Sequence, residues 1–316
     1  MQKSAILVSI AAGLASALLF AGLIGQAAGG LLLPLLTPLP IFIASLGWGS
    51  VAGFVSVAVA ATAVSAATGS LMVSIPLLVA MGIPAAWIGH LAGLSRLRSD
   101  IPAPANDARP ALDWYPLSRI LMAIVGAAIA ACVILGWIIG FNPQEFGPVL
   151  AEALGSQAAL GPDSEAQLQE LGALVVRLVP FVQPALLVAM LAGLLYLAAA
   201  LTRASGKLPR PRDDIPSAAG LPRIALPIFA GALAFSFLDG LVGLLGAVVA
   251  GAFGMAFTLV GLAAMHRRTR GMAARGLLLF SAYAAILLLS IPLFAFLILG
   301  AVDVARSGTA PEGKPS

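Results

Sequence analysis

Charge is what this chain has least of. Asp, Glu, Lys and Arg make up only 9% of its 316 residues, against about 25% in an ordinary soluble domain. Seventeen basic and 13 acidic side chains cannot cover the surface of a soluble fold of this size, so a soluble enzyme is excluded. A disordered chain needs high charge and low hydrophobicity and is excluded too. A disulfide scaffold needs cysteine pairs, and Cys132 stands alone within an apolar run. It reads as a small packing residue. His90 and His266 are the only histidines, and no His/Cys/Asp/Glu group has the spacing of metal ligands. No glycine-rich stretch ends in Lys-Ser or Lys-Thr, so there is no P-loop with which to hydrolyse ATP. No Ser/His/Asp set falls within one leaflet. These absences point away from an enzyme and imply no catalytic residue, no metal and no cofactor.

What is present is hydrophobic: 60% of the residues, with a mean hydropathy of +1.04. The fold class is therefore all-α, a polytopic helical membrane protein. A helix needs about 20 apolar residues to cross the hydrocarbon core. Nine runs are candidates: 5–25, 31–46, 51–68, 71–91, 120–139, 174–201, 224–238, 241–265 and 277–302. The second and seventh are short, and eight spans result if one of them fails to cross. The second carries Pro34, Pro38 and Pro40 within seven residues, which predicts a broken or re-entrant segment. Residues 1–306 form one integral membrane domain, and residues 307–316 read as a disordered tail. The first run is longer than a signal-peptide core, so it reads as a retained helix.

The net charge of +4 would suggest nucleic acid in a soluble protein. Here the basic residues sit in loops 94–119, 203–223 and 266–275, so orientation is the simpler cause and no nucleic-acid partner is implied. Interval 141–172 holds Glu145, Glu152, Asp163, Glu165 and Glu170 without Lys or Arg. The positive-inside rule puts the basic loops and the N-terminus in the cytoplasm and the acidic interval outside. A bacterial inner membrane is the expected location. With nine spans the C-terminal tail falls outside. Within 141–172, Ser164 and Gln167 fit a capping box, followed by Leu168, Leu171, Val175 and Leu178 at helical spacing. This predicts an amphipathic helix on the outer surface before the sixth span.

The spans themselves hold few polar groups. Asp239 is either an Asp-Gly turn or a ligand or proton site. Arg177 either pairs with an acid of its own segment or meets an anionic ligand. Gln26, Thr37, Asn142 and Gln183 lie near the outer ends of spans. With Pro38 and Pro40 they could line a small-molecule pocket, although each could equally serve a helix–helix hydrogen bond. Gly13, Ala17, Ala21 and Gly25 recur every four residues on the first run, a face that suits a partner helix or a neighbouring span.

The stretch Leu36-Thr37-Pro38-Leu39-Pro40-Ile41-Phe42, then Leu46-Gly47-Trp48-Gly49, resembles a feature of the YybS-like family of uncharacterised bacterial multi-pass membrane proteins. Residues 259–266 and 299–306 resemble that family too. The resemblance implies a distant similarity to the S-components of energy-coupling-factor transporters, hence an S-component-like core. It also implies a solute-binding or transport role and a transmembrane partner served by separate ATPases. The small-residue face of the first run would then be the partner contact. The competing expectation is a membrane scaffold or regulatory protein with no small-molecule ligand, using the cytoplasmic basic loops, especially arginines 267–275, to hold anionic lipid or a soluble partner.

Overall fold

A computed structural model describes residues 3–24, 33–97, 112–158, 165–289 and 291–306. Gly25, Gln26, the Ser164 cap and the tail 307–316 lie outside the described residues. Twelve α-helices are present among them: α1 (Lys3–Ile24), α2 (Pro38–Trp48), α3 (Ser50–Thr68), α4 (Ile83–Ala92), α5 (Leu117–Ile138), α6 (Pro143–Ala158), α7 (Glu165–Ala204), α8 (Ile215–Ala218), α9 (Ala225–Phe235), α10 (Gly240–Arg268), α11 (Arg275–Leu289) and α12 (Pro292–Arg306), with short 3-10 turns at Pro34–Leu36 and Met72–Ser74 and a π turn at Leu77–Gly82. Two three-residue strands, β1 (Ser95–Leu97) and β2 (Leu112–Trp114), pair antiparallel and depart from a purely helical chain. The surface is apolar: Leu18, Trp137, Phe237 and Leu287 are at least three-quarters exposed. A surface of that kind suits contact with lipid.

Among the described residues, six helical stretches are long and apolar enough to cross a membrane: Lys3–Gly22, Ser50–Thr68, Met72–Ala92, Leu117–Ile138, Ala166–Ala204 and Gly240–Arg268. Of the nine candidate runs, three do not form a single helix of that length. The second run is helical from Pro34 to Trp48 rather than broken, because Thr37 keeps right-handed helical angles. Its three prolines fall in the first two turns, where missing N–H groups matter little. The seventh run is only Ala225–Phe235. The ninth run splits at Pro292 into α11 and α12, each of 15 residues, or about 22 Å.

The split changes the topology. The backbone of Gly300 packs on Phe257, Leu297 reaches Gly254, and Asp303 binds Arg267 at 2.7 Å. Residue numbers rise together, so α12 runs parallel to α10. The last described residue, Arg306, therefore lies at the same end as Arg268, not at the opposite end as nine spans required.

The same reasoning orients the rest. Gly13 of α1 rests on Ser56 and Val59, and Phe20 packs with Ala60 and Val64, so α1 and α3 are parallel. Ser50 Oγ lies 2.6 Å from His90 Nδ1, joining the start of α3 to the end of α4. Gly47 approaches Thr202, joining the ends of α2 and α7. One end of the bundle thus gathers most of the arginines.

Interval 141–172 is not a connector followed by a separate surface helix. α7 has 40 residues, about 60 Å, which is twice the thickness of a hydrocarbon core. The amphipathic stretch is its first half. α6 packs antiparallel against it through small residues: Gly172 against Gly147 and Ala151, and Gly155 against Leu168.

Candidate ligand-binding site

The arginine end holds a groove of about 1260 Å³. Its walls are apolar: Leu117, Leu121 and Ile124 of α5, Ala192, Tyr196 and Ala199 of α7, and Leu259 and Ala263 of α10. Its mouth is charged. Arg203, Arg210, Arg212, Asp213, Asp214, His266 and Arg270 all line it.

Local sequence explains how the mouth is built. Gly206 takes φ +68°, a left-handed angle that suits glycine, and ends α7. Pro209 and Pro211 then prevent the helix from restarting. Arg210 pins this segment. Only 7% exposed, it donates from Nε to Asp213 at 2.7 Å and from Nη2 at 3.2 Å. Its Nη1 donates to the Ala92 carbonyl at 3.2 Å, at the negative end of α4. The guanidinium also lies 5.9 Å from the Trp114 ring centre, within cation–π range. A second pin joins the segment to the end of α10. Arg270 donates to both carboxylate oxygens of Asp214, and Arg267 donates to the Pro216 carbonyl at 3.0 Å.

Hydrogen bonds from Arg270, then from Ser217, lower the Asp214 pKa to about 2. The sign follows from linkage: a lowered carboxylate pKa gives a tie that is complete above the ordinary value of 3.8 and is lost as pH falls through about 2. A spin-label distance between positions 218 and 272 should stay narrow from pH 7 to 4 and broaden toward pH 2. In Asp214→Asn it should be broad throughout.

One flank of the groove is lightly held. α11 has no buried residue. Its Tyr283 hydroxyl lies 2.8 Å from His266 Nε2. A single net hydrogen bond is worth about 1 kcal/mol. Tyr283→Phe should therefore broaden spin-label distances between α11 and α7, whereas Leu287→Ala, at an exposed position, should leave them unchanged.

The residues expected to form an outer pocket do not converge here. None of Thr37, Pro38, Pro40, Asn142, Arg177, Gln183 or Asp239 lines the groove. Thr37 and Pro38 are buried in helix packing, and Pro40 is half-buried. The Thr37 hydroxyl has no hydrogen-bond partner. Asn142 starts α6, donating to Glu145 at 2.8 Å and accepting from the Gln144 N–H at 3.1 Å. Arg177, Gln183 and Asp239 are exposed. Asp239 precedes Gly240, whose φ is +71°, the geometry of a tight turn. On the first helix, Gly13 and Ala17 are used internally against α3, and Ala21 is exposed. Among the described residues no group of three His, Cys, Asp or Glu side chains could hold a metal.

No family model matches the chain, and no curated protein or solved structure matches it either.

The sequence does not reveal the groove residues because the charge of loop 203–223 is accounted for by orientation alone. One signal was available. Asp213-Asp214 is the only pair of adjacent carboxylates in the chain, and it sits inside a basic loop. Acids there need a reason, and pairing with Arg210 and Arg270 is that reason.

Proposed function

We propose that the protein is a solute-binding or transport subunit of a bacterial inner membrane, with its binding site in the groove at the arginine end. The observation that carries this reading is the groove itself, apolar along its walls and charged at its mouth. Binding sites have that character, mostly apolar with a few convergent polar groups. By the positive-inside rule the arginine end is cytoplasmic, so the site opens inward rather than outward. With no P-loop in the chain, energy from ATP would have to come from separate subunits.

The scaffold reading uses the basic loops, above all free arginines at 267–275. Arg267 and Arg268 face Asp303 and Arg270 binds Asp214, so much of that charge is already engaged within the chain. This favours the binding-subunit reading.

The test is purification of the tagged protein from its own host in gentle detergent, with mass spectrometry of what accompanies it. One stoichiometric small molecule or lipid, or a transmembrane partner with ATPases, supports the proposal. Recovery of a soluble partner alone would favour the scaffold.

A further inference from the structure

We infer that the groove takes a membrane lipid with an anionic phosphate headgroup, its acyl chain lying along α5 and α7 and its phosphate between Arg203 and Arg212. The inference rests on reading the groove as the binding site and names the class of ligand that fits it.

Charge comes first. Four guanidinium groups and two carboxylates line the mouth. Asp213 is matched by Arg210 and Asp214 by Arg270. That leaves Arg203, which donates to the Pro211 carbonyl at 3.4 Å, and Arg212, which is exposed. Neither has a carboxylate partner among the described residues. A net charge of about +2 is thus fixed at one end of an otherwise apolar trough, and arginine suits phosphate through its forked donors.

Length comes second. The lining follows α7 from Ala189 to Arg203, about 21 Å of helix axis. One leaflet of hydrocarbon is about 15 Å deep. A lipid with its phosphate at the arginines would therefore place its chain along the groove without leaving its own leaflet. A soluble inorganic anion would use the mouth and leave the apolar walls unoccupied. The 1260 Å³ volume also exceeds the roughly 300–1,000 Å³ of ordinary small-molecule sites.

Access comes third. Gly193 and Tyr196 line the groove and are exposed on the flank of α7. A Cβ on Gly193 would meet nothing within 4 Å. With α11 lightly held, a lipid can enter sideways from the inner leaflet.

The experiment measures binding of spin-labelled phosphatidylglycerol and phosphatidylcholine to the full chain in nanodiscs. Three proteins are compared: the unaltered chain, Arg203→Gln/Arg212→Gln, and Ala200→Trp, which fills the groove. Each arginine near an anionic headgroup contributes about fivefold in affinity. The expected result is a preference of roughly 30-fold for phosphatidylglycerol, lost in the double variant, with both lipids excluded by Ala200→Trp. Equal binding of the two lipids overturns the inference. So does displacement of phosphatidylglycerol by millimolar inorganic phosphate, which assigns the arginines to a soluble anion and leaves the groove reading intact. Binding that Ala200→Trp does not affect overturns both this inference and the groove as the site. Circular dichroism of the variants confirms that each is folded.

Discussion

Gly261→Leu/Gly300→Leu should prevent the protein from accumulating as a monodisperse species. α10 and α12 cross with their backbones in contact. A Cβ on Gly261 would fall on the Phe296 carbonyl, and one on Gly300 would fall on the Phe257 carbonyl. Flexible side chains can give way, but these are backbone atoms inside two helices. The only relief is to move α12 bodily. Overpacking typically destabilises by about 1–3 kcal/mol at one site and more where backbone must move. The single alanine variants should each lower the unfolding midpoint in detergent, and the double leucine variant should abolish it. Gly126→Leu is the control, since nothing lies within 4 Å of that position. Displacing α12 also removes Asp303 from Arg267, so surviving protein should show a disordered arginine end. A double leucine variant as stable as the unaltered chain contradicts the packing described above.

Asp213→Ala should be the most damaging single change at the groove mouth. It leaves the Arg210 guanidinium buried, held only by the Ala92 carbonyl and the Trp114 face. Removing one partner of a buried ion pair destabilises by about 3–5 kcal/mol. The Asp213 side chain is 29% exposed, so water relieves part of this and about 3 kcal/mol is the expected loss. Replacing both partners, Arg210→Met/Asp213→Leu, should restore most of the stability, since an apolar pair of similar volume leaves no unmatched charge. Chemical denaturation of the unaltered chain and the two variants checks this. A double variant as unstable as Asp213→Ala would show that the pair does something other than neutralise itself.

Much of the bundle was legible because a run of about 20 apolar residues is a local property. The spans at α1, α3, α5, α7 and α10 follow from it directly. The ninth run misled for a physical reason. Proline in apolar helices is often tolerated, so Pro292 did not stand out, yet it begins a separate helix, α12. The second run misled in the opposite sense. Three prolines suggested a break, but their placement in the opening turns makes them compatible with a helix. At the arginine end the loops were legible as basic, whereas the groove was not. It depends on the separation of α5, α7 and α10 and on where residues 208–216 fold back, and no spacing along the chain encodes that separation. The outer pocket failed to assemble because polar residues near one surface need not face one another. Asn142 serves its own helix start, Asp239 lies in the exposed turn before α10 without a capping hydrogen bond, and Arg177 and Gln183 are exposed.

The most direct test of the groove is labelling of a single cysteine one turn above Arg203. Cys132 is the only natural cysteine, so Cys132→Ala provides the background, and Ala200→Cys places a thiol on the groove wall. A membrane-impermeant maleimide is applied to right-side-out and inside-out vesicles, with and without added phosphatidylglycerol. Labelling from the cytoplasmic side alone, suppressed by the lipid, is the predicted result. Labelling from the outer side, or cytoplasmic labelling that no bound lipid alters, would contradict an inward-opening binding groove.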